Sequence, residues 1–173
     1  MADAPSCQIN DALRLIPSGM FVLTAAHEHT RGAVLVRWVQ PCGINPPMVM
    51  VAMPLGQAVE PLIRDSRSFA LCQVSAEDRF TERKFATSFR PGEDPLIAMV
   101  RQSAPSGSPI IDRAISYLDC ELTRHFDIES DCGLYVGLVR HAAVLNGNPP
   151  AIVIGENGHK GDNGASTING HNG

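Results

Sequence analysis

The chain has 173 residues, 44% of them apolar, with 14 basic against 18 acidic residues and a formal net charge of −4. That suits one globular domain with an ordinary core, and the scattered basic residues form no run that would serve as a nucleic-acid footprint. No apolar run approaches the ~20 residues of a membrane span, and MADAPSCQIN at the start has neither the basic nor the apolar region of a secretory signal, so a cytoplasmic protein is expected.

Residues 1–10 are polar. A short helix is predicted over Asp11–Ile16, capped by Asn10 or Asp11 and stopped by Pro17-Ser18-Gly19. Met20–Ala26 reads as a strand and His27–Gly32 as a hairpin turn. Ala33–Val39 reads as the next strand, with Val34, Val36 and Trp38 on one face and Leu35, Arg37 and Val39 on the other. Both faces are largely apolar, so one is expected to line a barrel and the other to meet a helix or a partner subunit. Met48–Met53, opened by Pro46-Pro47, is a third strand.

Gln57–Arg67 reads as a helix with Val59, Leu62 and Ile63 on one side; Pro61 is tolerable near its start because first-turn amides have no helical acceptor. Ser68–Val74 is a fourth strand, and Glu77–Phe89 reads as a helix presenting Phe80, Phe85 and Phe89. Arg90–Asp112, rich in Pro, Gly and Ser, reads as a surface excursion. Leu118–Ile128 alternates, with Leu118, Cys120, Leu122, Arg124 and Phe126 on one face and Asp119, Glu121, Thr123, His125 and Asp127 on the other, as in a half-buried antiparallel strand. A turn at Ser130–Gly133 leads to the last strand, Leu134–Leu145. Six strands joined by short turns predict a closed antiparallel barrel without exposed sheet edges. Residues 1–154 are expected as one domain; residues 155–173 form a Gly/Asn-rich polar tail too poor in apolar surface to order itself.

Five cysteines, Cys7, Cys42, Cys72, Cys120 and Cys132, are odd in number and widely spaced, with no C-x-x-C pair. Reduced thiols and no metal site are expected. His27 and His29 at a hairpin tip, and Asp127, Glu129 and Asp131 at another, read as solvated side chains.

One ordered set carries the functional signal: Leu15-Ile16-Pro17-Ser18-Gly19, then GAVLVRWVQPCGINPPMVMV over Gly32–Val51, then AMPLGQAVEPLIRDSRSFALCQV, then the strand Gly133–Val139. Over roughly residues 10 to 146 this resembles the flavin reductase-like family, the FMN-binding split barrels, above all the flavodiiron-associated flavin reductase modules and the flavoredoxins. The resemblance implies a mainly β fold, a six-stranded antiparallel split β-barrel of Greek-key type with a few short helices. It also implies FMN as cofactor, NAD(P)H as co-substrate, a homodimer with flavin near its interface, and room for a redox partner protein. The implied function is an NAD(P)H-dependent flavin reductase-like oxidoreductase. Two alternatives stay open: a flavin-binding electron carrier without nicotinamide turnover, and a divergent dimeric barrel that has lost flavin.

Residue by residue, the resemblance implies contacts to the flavin ring edge from Arg37, Trp38, Val39, Gln40 and Cys42, and to the phosphate from Gly56, Gln57 and Ala58, with Arg37 the nearest cation. Pro54, in the same phosphate segment, has no amide to donate. Cys132 stands where many members carry a His beside an Asp, so it marks the nicotinamide side. No residue is singled out as catalytic.

Overall fold

A computed structural model describes residues 4–145 apart from Ser88 and Pro91, so the expected tail and the domain boundary before it lie outside the described residues. In chain order the elements are α1 (Ala4–Arg14), β1 (Met20–His27), β2 (Thr30–Val36), β3 (Trp38–Ile44), β4 (Pro47–Pro54), α2 (Glu60–Ser66), β5 (Ser68–Val74), α3 (Arg79–Phe85), β6 (Val100–Ser103), β7 (Pro109–Ile111), β8 (Ser116–Asp127) and β9 (Cys132–Val144). Seven strands form one sheet in the order β2-β1-β5-β8-β9-β4-β3, every pairing antiparallel, and β6-β7 form a separate hairpin. The fold is the mainly β antiparallel split barrel that the sequence predicts.

The strand count differs for a local reason. The predicted strand Ala33–Val39 breaks at Arg37, which belongs to neither β2 nor β3. β2 and β3 lie at opposite edges of the sheet, yet this single residue joins them. Laid flat, seven strands would separate those edges by about 29 Å, at about 4.8 Å per neighbour. Two Cα–Cα steps reach only about 7 Å, so the sheet has to curl until its edges almost meet. The break also reverses the side-chain phase: Val34, Val36 and Val39 are buried inside the barrel, whereas Trp38 is 59% exposed, contrary to its predicted grouping with Val34 and Val36.

The barrel interior is an apolar cluster drawn from β1 to β5, β8 and β9, including Leu23, Val51, Met53, Phe69, Leu71, Leu122 and Tyr135. Val59, Leu62 and Ile63 of the α2 region plug it. α2 is shorter than predicted and ends on Arg67, whose φ of 56° is left-handed.

A second cluster covers the outer face of β1, β2, β5 and β8 with Phe85, Leu96, Met99, Ile110 and Ile111. The expectation of a surface excursion over Arg90–Asp112 is therefore corrected. Leu96, Ile110 and Ile111 are fully buried, and Thr24 of β1 donates its hydroxyl to the Pro109 carbonyl at 2.6 Å. Buried Asp119 accepts from the Ser106 amide at 3.1 Å and from its hydroxyl, so a carboxylate on the covered face is satisfied by the loop above it. Of the three phenylalanines assigned to the Glu77–Phe89 helix, Phe85 is buried, Phe89 meets it edge-on at 5.7 Å, and Phe80 is half exposed beneath Arg113.

The predicted alternation of β8 is interrupted once. The β8–β9 register shifts between Asp119 and Cys120 and again between Leu122 and Arg124. Only the second places an extra residue, Thr123, in β8, and it turns Phe126 outward to 49% exposed; Asp119 keeps its predicted face and is buried because the loop at Ser106 covers it. Gly137 lies in the barrel wall, where an added Cβ would stand 2.6 Å from Phe69 Cζ and 2.8 Å from Cys120 Cβ. Gly137→Ala should therefore overpack the core and lower stability by roughly 1–3 kcal/mol, read as an earlier urea midpoint with unchanged slope; an unchanged midpoint would mean that the wall yields.

Candidate functional site

Cross-strand register gathers one end of the sheet. Trp38 opposes Ala52, which opposes Leu134, which opposes Phe126; one step further along, Met53 opposes Gly133, which opposes Asp127, and Pro54 opposes Cys132. The predicted ring-edge residues Arg37 and Trp38, the phosphate segment Pro54–Ala58 and Cys132 thus share one rim. Gln40 and Cys42 are exposed further along β3, and Cys42 falls in the register shift between Pro41 and Gly43, about 13 Å from Trp38 at strand spacing.

β3 ends the sheet order, so its main-chain groups facing away from β4 have no strand partner. Such an edge presents alternating N–H and C=O groups, the pattern that an amide-like ring edge needs. The loop after β4 is more committed. The Leu55 amide donates to the Asp131 carbonyl at 2.9 Å and the Gln57 amide to Glu60 Oε1 at 2.8 Å. The amides of Gly56 and Ala58 make no hydrogen bond among the described residues. Gly56 has a φ of +79°, and nothing lies within 4 Å of the position its Cβ would take, so the loop is open there. A cleft of about 190 Å³, lined by Thr30, Gly32, Ala58, Pro61, Leu62 and Phe89, opens beside Ala58.

Two charges qualify this segment as an anion site. Glu60 places a carboxylate in the first turn of α2, opposing an incoming anion. Arg37, the predicted cation, donates to Glu82 of α3 at 2.5 Å, and Glu82 also accepts from Arg79 at 2.7 Å. Hydrogen bonding to Arg79 first, then the charges of Arg79 and Arg37, hold the Glu82 carboxyl below its ordinary range. The Arg37–Glu82 pair is solvent-exposed and screened by water, so the guanidinium can leave it at small cost.

Cys132 is not in a turn, as predicted, but starts β9, and it is 5% exposed. Burial first, then the Asp131 carboxylate, push its thiol up, so it stays neutral and presents little to a ligand. Cys42 is exposed, while Cys72 and Cys120 are buried. Desolvation raises Cys72 to about 11 and, with the charge of Asp119, Cys120 to about 12.

The sequence reading passed over a ring pair beside Gly133. His125 of β8 stacks on Tyr135 of β9 with ring centroids 4.3 Å apart. The sequence grouped His125 with Asp127 on the polar face of the strand, and the extra residue at Thr123 turns that grouping toward Tyr135. A different cleft, of about 430 Å³, opens between Ser66, Arg67, Ser106, Glu121, Arg140 and His141. Its charges are used internally: Arg140 pairs with Glu121 at 2.5 Å and Asp119 with Ser106. Among the described residues no group of three or more His, Cys, Asp or Glu is gathered as a metal site, and no helix is long and apolar enough to cross a membrane.

The Flavin reductase like domain model matches residues 13–161. A putative diflavin flavoprotein A 2 of Synechocystis sp. is 31% identical over 122 residues, covering 69% of this chain and 21% of the relative. A putative diflavin flavoprotein A 6 of Nostoc sp. is 27% identical over 143 residues, covering 82% of this chain and 25% of the relative. The chain thus spans about a fifth to a quarter of the length of these relatives. Among solved structures, the NADH:FAD oxidoreductase of Streptomyces globisporus superposes with a TM-score of 0.73 at 20% identity, covering 84% of this chain and 86% of that one. The FMN-binding protein of Thermus thermophilus superposes with a TM-score of 0.67 at 18% identity, covering 75% and 72%. These two likenesses are of fold.

Thiol reactivity checks the placement of the cysteines. At about pH 8 the thiolate is the reactive form, so Cys42→Ser should remove one fast-reacting thiol in a disulfide-exchange assay. Cys72→Ser and Cys120→Ser should leave the fast phase unchanged, and fast labelling lost with either would place those residues outside the core.

Proposed function

The chain belongs to the flavin reductase-like family, and from that premise we propose that it is an FMN-binding, NAD(P)H-dependent flavin reductase-like oxidoreductase, cytoplasmic and working as a homodimer. The observation that carries this reading is the exposed edge of β3 ending beside the open Gly56 turn. Residues of both kinds that FMN requires therefore lie along one rim. Main-chain groups of Arg37 to Cys42 would hold the ring edge, with Val39 packed inward to fix the strand and Trp38 exposed beside it. The Gly56 and Ala58 amides, with Arg37 released from Glu82, would hold the phosphate; Gln57 contributes less because its amide serves Glu60.

The chemistry that FMN supplies when bound is two-electron transfer between a nicotinamide and an acceptor. The chain's own part is to orient the ring and to exclude water from one side of it. Low phosphate affinity follows from Glu60, and its carboxylate is the observation that favours a barrel without flavin. Burial of Cys132 favours the other alternative, the electron carrier, because no donor from that residue faces a nicotinamide. NAD(P)H that leaves the bound flavin oxidised, while dithionite bleaches it, would select the carrier.

The dimer proposal rests on a different surface from the one the sequence suggested. The outer face of β2 at Ala33 and Leu35 is covered by the chain itself. The outer face of β4 and β9 is not: Met48, Met50, Ala52, Leu134, Val136 and Leu138 are half-buried and belong to neither core cluster, with Trp38 and Phe126 at the margin. An apolar sheet face of this kind suits an isologous interface. Light scattering should give about twice 18.6 kDa at micromolar concentration, and Met50→Glu should halve it; a monomeric wild type would overturn the proposal.

Flavin fluorescence quenching tests the cofactor. Quenching should saturate below tens of micromolar FMN, about −6 kcal/mol of binding free energy, and FMN should bind more tightly than FAD. A charge-assisted bond less the released ion pair leaves Arg37 worth about 1–2 kcal/mol, so Arg37→Ala should weaken FMN roughly 5- to 30-fold and riboflavin hardly at all. Absence of quenching would remove the flavin reading.

A further inference from the structure

At the inner rim of the barrel the chain has assembled a ring pair that neither the β3 edge nor the Gly56 turn accounts for. His125 and Tyr135 are direct cross-strand partners, their rings 4.3 Å apart and inclined by 21°. They meet because the register shift at Thr123 brings His125 onto the same side as Tyr135, which belongs to the interior cluster. Gly133 keeps room for the imidazole: a Cβ there would stand 2.9 Å from His125 Nε2 and 3.3 Å from Leu55 Cδ2. The ring is thus wedged between Tyr135, Gly133 and the loop that follows β4.

The imidazole is held but not enclosed. Tyr135 is 4% exposed, whereas the His125 side chain is 39% exposed and its Nε2 stands 3.8 Å from Asp127 Oδ1. Burial, then the carboxylates of Glu60 and Asp127, push the Tyr135 hydroxyl up to about 12, so the platform beneath His125 is neutral. Cys132 nearby is neutral as well. His125 is a partly exposed side-chain hydrogen-bond donor at this end of β8 and β9. Gly133 lies on the same rim as Trp38 and Pro54, two strands or about 10 Å from β3.

We propose that His125, braced on Tyr135 and fitted against Gly133, donates an imidazole N–H to the edge of the bound flavin ring that becomes negative on reduction, and so makes this site prefer reduced over oxidised flavin. This rests on the flavin reading above. No bond is made or broken by His125; it stabilises the charge that accompanies the electron pair.

The test compares full-length wild type with His125→Phe, which keeps a ring on Tyr135, and His125→Gln, which keeps a donor. FMN affinity is measured in the oxidised state and, after dithionite, in the reduced state, with thermal midpoints recorded for all three proteins. His125→Phe should hold its midpoint and weaken reduced FMN about tenfold more than oxidised FMN, a shift of about 30 mV for a two-electron couple. His125→Gln should retain most of the preference for reduced FMN. Both variants keeping the wild-type preference, or both losing the two redox states equally, would make His125 a packing residue and overturn the proposal. A wild type that binds flavin in neither state would instead overturn the flavin reading, and this inference with it.

Discussion

The structure depends on a length constraint at Arg37. The chain leaves one edge of a seven-stranded sheet at Val36 and re-enters at the opposite edge at Trp38. Only a curled sheet brings those edges within reach of one residue, so this short link and the barrel imply each other. The seam between β2 and β3 stays unpaired, which leaves β3 as an edge strand. Fully closed barrels have no such edge, and here it is the edge that supplies main-chain groups to the proposed ligand rim. The same link carries Arg37 out to Glu82 of α3, tying the seam to the outer layer.

Much of the fold was legible because the strands that line the interior announce themselves. Met20–His27 and Ser68–Val74 read as strands with nearly their observed bounds, since both faces of each are buried and apolar runs result. The errors share a cause: two-residue periodicity assumes an unbroken ladder. A break at Arg37 turned Trp38 outward, and the extra residue at Thr123 moved Phe126 to the surface. The Pro, Gly and Ser content of 90–112 concealed a second core layer, because Leu96, Ile110 and Ile111 are too widely spaced to form a periodic pattern.

The candidate site was legible in its backbone part and not in its side chains. The segments around Trp38 and Gly56 were singled out by the family resemblance, and strand register sets them at one end of the sheet. His125 was passed over because its partner, Tyr135, is ten residues away across a bulged hairpin, and no local pattern encodes a stacked pair. The commitments of Arg37 to Glu82 and of the Gln57 amide to Glu60 were likewise invisible, since each depends on helix placement. They matter energetically: an anion arriving at this loop competes with a carboxylate already there and recruits its cation from an existing pair.

The account's central claim is that the ligand rim is the β3 edge with the turn that follows β4. Backbone amide exchange, measured with and without saturating FMN, addresses it directly, because amides that gain a partner exchange more slowly. The account predicts slower exchange across Trp38–Ile44 and at Gly56 and Ala58, with the interior of β1 and β5 unchanged. Slowing confined to the opposite cleft near Ser66, Arg67 and Arg140, or none at all under conditions where FMN is bound, would contradict it.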